Sequence, residues 1–112
     1  MFGITLKKTT PKKKLLRGKF YLHNDKNGGH PALVFSTNAR KNKYKAVKFT
    51  HHKTSKTIAL KHNIDPSAKK QKTYVHKKPI VARKREFGSK QLSGLRIHKD
   101  DKPLIRKIQR SK

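Results

Sequence analysis

Acidic residues occupy only five positions, Asp25, Asp65, Glu86, Asp100 and Asp101, against 32 lysines and arginines, and this imbalance constrains the fold more than any motif does. The resulting formal charge of +27 runs the whole length of 112 residues, with no neutral half and no single basic tail. Internal ion pairs cannot offset so many cations, and a charge this far from zero makes the compact state repel itself. Any core must therefore be built from short apolar segments while the cations stay in water. A surface of this kind gains affinity for any polyanion, because phosphate contacts by Lys and Arg release condensed counterions. Nucleic acid is the expected partner, and order should improve with that partner bound.

The same composition excludes several other classes. An interfacial membrane helix needs a basic face opposite a broad apolar face. Here Thr, Pro, Gly and Asn interrupt the basic runs, so no long amphipathic helix can be drawn. No apolar stretch approaches the roughly 18 residues of a membrane span, and the start lacks the apolar region of a signal peptide. An intracellular, cytoplasmic protein is the resulting expectation. With no cysteine, disulfides and thiolate metal sites are ruled out. Apolar and aromatic residues make up 31% of the chain, enough for one small core.

Residues 1–17 read as a basic N-terminal arm, a weakly alternating start followed by a Lys/Thr run broken by Pro11. A β domain follows over 18–75. Gly18 to His23 sets Phe20 and Leu22 on one face of a strand. Asn24 to Gly29 carries turn formers that permit positive φ. Pro31 to Ser36 is the most apolar segment, short and bounded by turns, as a buried strand is. A polar basic loop over 37–43 leads to a strand rich in β formers from Tyr44 to Thr50. Thr57 to Leu60 reads as a fourth strand and Thr73 to Val75 as a fifth. Strands spaced about a dozen residues apart indicate a mainly β fold, a small barrel or curled antiparallel sheet.

Residues 76–112 form a basic extension with one helix, expected over 101–110. Asp100 or Asp101 suits its N-cap, Pro103 its first turn, and Leu104, Ile105 and Ile108 its buried stripe. Arg106, Lys107 and Arg110 sit where the helix dipole favours cations. Between 76 and 99, Lys77-Lys78-Pro79, Gly88 and Gly94 interrupt any regular pattern. No internal repeat is present.

Seven histidines invite a metal site, with His51 and His52 the obvious pair, but adjacent strand residues point to opposite faces. No His-Glu-x-x-His pattern accompanies them, and no metal or other cofactor is expected. Two-metal nuclease chemistry and paired-carboxylate catalysis need clustered acids, whereas these five are scattered. Asn27-Gly28-Gly29 lacks a following Lys-Ser/Thr and reads as a turn rather than a phosphate loop. Metal-free RNA cleavage remains open, since the ribose 2′-OH attacks its own phosphate and needs only proton transfer and charge stabilisation. The cations expected to meet phosphates are Lys12, Lys13, Lys14 and Arg17 near the start, Arg40, Lys41 and Lys43 in the first loop, and Lys53 and Lys56 in the second. Lys69, Lys70, Lys77, Lys78, Arg83, Lys84 and Arg85 complete the set. Tyr21, Tyr44 and Tyr74 suit either base stacking or an ordinary sheet surface.

His30-Pro-Ala-Leu-Val-Phe-Ser36, a polar loop, then Ala46-Val-Lys-Phe-Thr50 resembles the core of the MazF/PemK toxin family, which shows Arg-Pro before an aliphatic run and Ser, and a later strand ending near Pro-apolar-Thr. The likeness covers roughly residues 18–60. It implies a small SH3-like barrel that cuts single-stranded RNA without metal, acts as a dimer and is neutralised by an antitoxin. It also implies catalytic roles for Thr50, at the family's Thr, and for His30, which stands where the family has Arg. Lys48 replaces the family's Pro. Two non-catalytic readings stay beside this one. The first is a ribosomal or other ribonucleoprotein component, which the composition favours. The second is a regulator that binds a nucleoprotein complex.

Overall fold

Seven antiparallel strands and one C-terminal helix make up the computed structural model of the chain, which describes residues 15–25, 28–67 and 72–111. Most of the expected arm, with Lys12, Lys13 and Lys14, lies outside the described residues, as do Lys69 and Lys70. In chain order the elements are β1 (Phe20–Asp25), β2 (Gly28–Asn38), β3 (Lys43–Thr50), β4 (Thr57–Ala59), β5 (Tyr74–His76) and β6 (Ile80–Ala82). A single 3-10 turn (Lys84–Glu86), β7 (Phe87–Leu92) and α1 (Lys102–Arg110) follow. Neighbouring strands run in the order β4-β5-β3-β2-β1-β7, with β6 also on β3, and the path does not close. The mainly β antiparallel class with a terminal helix is thus observed, in its curled-sheet form.

The β1–β2 hairpin register pairs Phe20 with Leu33 and His23 with His30. Gly28 enters β2 at φ +102°, a left-handed conformation that only glycine adopts without strain. Asn42 supplies the corresponding positive φ in the β2–β3 turn, a role for which Asn is among the best non-glycine residues. That turn is tighter than the loop expected over 37–43, because β2 continues to Asn38 and β3 already starts at Lys43. A bulge in β2 between Val34 and Ser36 shifts its pairing with β3. At the bulge the Val34 carbonyl accepts from the Gly18 N–H at 2.7 Å, and the Val34 N–H donates to Lys19 at 3.1 Å.

Each sheet face buries its own cluster. Leu33, Val47, Phe49, Val75, Ile105 and Ile108 belong to one, so α1 closes that face. Burying an isoleucine side chain contributes about 1.5–3 kcal/mol, which lets two of them hold a short, strongly cationic helix. Ala32, Val34, Tyr44, Ala46, Ala82 and Phe87 belong to the other. Ala32, Leu33 and Val34 are consecutive and all buried, as expected for a strand covered on both faces.

Residues 76–99 hold more order than their sequence announces. β6 pairs with β3, setting Ala46 opposite Ile80, and β7 pairs with β1, setting Phe20 opposite Leu92. Their apolar residues are too few and too widely spaced to show a period; Ala82 and Phe87 are buried only because a sheet is already there.

Asp101 occupies the N-cap position of α1 without making the expected side-chain cap bond. Its ψ of −10° is helical rather than extended, and Pro103 removes one of the N–H groups a cap would serve. The carboxylate turns instead to the loop after β4, accepting from the Lys61 N–H at 2.9 Å and the His62 N–H at 3.0 Å. Only 2% of Asp101 is exposed. Asp101→Ala should strand two amides, each worth about 1–3 kcal/mol when left buried and unsatisfied, and lower the melting temperature in thermal circular dichroism. Asp101→Asn, which keeps one acceptor, should fall between. Val34→Asp places an unpaired charge at a site with 0% exposure and should abolish cooperative folding, scored by the same melt.

Candidate functional site

Alternation along β1 turns Tyr21 and His23 away from the Phe20 face, and His23 ends up only 6% exposed. The β1–β2 register sets it directly across from the half-buried His30, a pairing that brings side chains into contact on one face of a sheet. Its ring meets the Phe87 ring edge-on at 5.3 Å. Nε2 of His23 lies 3.4 Å from Oε1 of Glu86, and its Nδ1 is buried without a hydrogen-bond partner. Glu86 is fixed from the other side, where Oε2 accepts the Arg83 N–H at 2.7 Å. That backbone bond, opposed by partial burial and assisted by His23, holds the Glu86 carboxyl below its usual range.

Thr50, also 6% exposed, closes β3 opposite Tyr74 of β5. Its hydroxyl oxygen accepts the His52 N–H at 3.2 Å. The β2–β3 ladder is paired as far as Ala32 and Lys48, and His30 and Thr50 each lie two residues beyond that last pair. Sequence alternation from Ala46 puts Lys48 and Thr50 on the same face. His23 faces His30 across β1 and β2, with Glu86 at the Nε2 side of its ring.

The expected cations divide into two groups. The Lys84 N–H donates to the Asn42 side chain at 3.0 Å, joining Arg83, Lys84 and Arg85 to the turn that carries Arg40, Lys41 and Lys43. The Lys77 N–H donates to the Lys56 carbonyl at 2.9 Å, joining Lys77 and Lys78 to the loop of Lys53 and Lys56. All are exposed except the half-buried Lys84, and Arg17 is exposed on the turn before β1. Tyr21 and Tyr44 are 5% and 2% exposed, which leaves only Tyr74 with a partly accessible ring. His51 and His52 lie on an exposed bend rather than a strand, and the His51 Nδ1 is 3.2 Å from the Lys72 carbonyl.

His23 and Glu86 were not singled out by sequence. The signal for His23 was its alternation with Phe20 and Leu22; Glu86 had none, because the 3-10 turn that presents it is placed by β6 and β7. His62, His98 and Asp100, from two distant segments, also meet in the fold.

The fold defines a class, a small antiparallel sheet of seven strands that does not close, with one C-terminal helix. The chain is similar to the solved structure of an endoribonuclease in complex with its cognate antitoxin from Mycobacterial species, with a TM-score of 0.51 and 25% sequence identity over 85% of this chain and 87% of that one. The likeness agrees with the resemblance to MazF/PemK-like toxins seen in the strands. No family model matches the chain. No curated protein matches it either.

A depressed carboxyl stabilises the fold above its unfolded value, near 4.5 for Glu86, and the contribution is lost as pH falls through the lower folded value. Glu86→Gln should therefore flatten the dependence of stability on pH between about 5 and 3, measured by urea denaturation across that range. A variant as acid-sensitive as the wild type would remove Glu86 from the network.

Proposed function

We propose that this chain is a toxin-type endoribonuclease that cuts single-stranded RNA without a metal ion and is held inactive by an antitoxin protein. The likeness to an endoribonuclease in complex with its cognate antitoxin carries this reading, and the positions of His30 and Thr50, each two residues past the Ala32–Lys48 pair, are compatible with it. His30 takes the proton of the ribose 2′-OH. The 2′-oxygen then bonds to phosphorus and the bond to the 5′-oxygen breaks, that oxygen taking a proton from water, which leaves a cyclic phosphate and a 5′-hydroxyl. The Thr50 hydroxyl donates to a phosphate oxygen, and Lys53 and Lys56 offset its growing charge. His23, steadied by Glu86, orients His30 from the facing strand. Exposed cations in both basic groups track the RNA backbone, and a protein that neutralises them is expected to be acidic.

The purified chain should cleave single-stranded RNA in the presence of a chelator and leave the matching DNA intact, because DNA lacks the attacking hydroxyl. His30→Ala and Thr50→Ala should each slow cleavage by roughly 10²- to 10⁴-fold while RNA affinity changes little. That affinity should fall linearly in log[salt], losing orders of magnitude between about 50 and 200 mM. The charge of +27 also fits a non-catalytic ribonucleoprotein component. Tight, salt-sensitive binding with no cleavage by any preparation would select that second reading.

A further inference from the structure

His62 follows β4, His98 and Asp100 precede α1, and the fold brings their donor atoms within 4.8 Å of one another. Nε2 of His62 is 3.0 Å from Oδ2 of Asp100, and Nδ1 of His98 is 3.4 Å from the same oxygen. The two rings stack at 3.6 Å with 24° between their planes. Zinc bonds of about 2.0–2.2 Å at the tetrahedral angle place donors roughly 3.3–3.5 Å apart, close to both measured edges. We propose that His62, His98 and Asp100 form a binding site for a late first-row divalent cation of the zinc type, with a fourth position open to water or an anion.

Two features favour a cation there. The Asp100 N–H donates to His98 Nδ1 at 3.1 Å, so that nitrogen is the unprotonated one of its ring, and an incoming ion takes the place of this single hydrogen bond. The Asp100 carboxylate oxygen lies 3.4 Å from the same nitrogen, near enough for one ion to be shared between them. The scaffold is also fixed before any ion arrives. Asp101 binds the Lys61 and His62 amides, and the Arg96 N–H donates to the Ile64 carbonyl at 2.9 Å, lacing the two ligand-bearing segments together.

Lys61, Arg96 and Lys99 line the same cleft, so the site lies in a positive field. Imidazole donation rather than charge must then hold the ion, which selects Zn²⁺, Ni²⁺ or Cu²⁺ over Mg²⁺ and Ca²⁺. The site shares no residue with His30 and Thr50, and its existence does not depend on RNA cleavage.

Titrating the full chain with Co²⁺ should produce the visible absorption of a tetrahedral ion, saturating at one equivalent and bleached by Zn²⁺ but not by Mg²⁺. His62→Ala, His98→Ala and Asp100→Asn should each weaken Zn²⁺ binding in calorimetry at least roughly tenfold, the loss seen even for outer-shell partners of metal ligands. His52→Ala should leave it unchanged. In the unaltered protein, Zn²⁺ should shift the ring-nitrogen resonances of His62 and His98 ahead of the other histidines, a readout that needs no variant to fold. Absence of Zn²⁺ binding, binding that survives all three substitutions together, or first shifts at His51 and His52 would each overturn the proposal.

Discussion

β3 is the strand on which the rest of this molecule depends, because both of its edges and both of its faces are occupied. β2 takes one edge, while β6 and then β5 take the other. Ala46, Val47 and Phe49 each have 0% exposure, Val47 and Phe49 in the first cluster and Ala46 in the second. Bulky Tyr44 and Phe87 share the second cluster with Ala32 and Ala46, and the two rings meet edge-on at 6.3 Å. Such interlocking contributes more per residue than size suggests, since a close-packed interior loses dispersion contacts with any gap.

That short apolar framework has to hold against its own charge. Three of the described carboxylates fix loops rather than match lysines or arginines. Asp101 binds two loop amides, Glu86 an amide and a histidine, and Asp65 the Ser67 N–H and hydroxyl. The described lysines and arginines, Lys48 and Lys84 apart, are exposed, where water and counterions screen them. The same imbalance that opposes compactness would favour a polyanion, whose binding releases counterions.

The two histidine clusters illustrate different uses of one residue type. His23 is sealed beneath Phe87 and fixed by a carboxylate, which suits orientation of a neighbour. His62 and His98 are partly exposed and share one carboxylate oxygen, which suits ligation. Neither arrangement follows from how many histidines the chain contains.

Local sequence was enough to determine the strand from Pro31 to Ser36, the partner strand ending at Thr50, the terminal helix with its Ile105 and Ile108 stripe, and the surplus of cations. Each of these is encoded in contiguous residues, as period, turn chemistry or charge. The resemblance to toxin strands was legible for the same reason. Tertiary structure alone decided that β6 and β7 exist, that Asp101 serves a loop 40 residues away in sequence instead of its own helix, and that Glu86 reaches His23 from 63 residues away. It also decided which histidines meet. Those outcomes depend on the curl of the sheet and on which edges remain open for late segments, and such long-range pairings leave no mark in any short stretch of sequence.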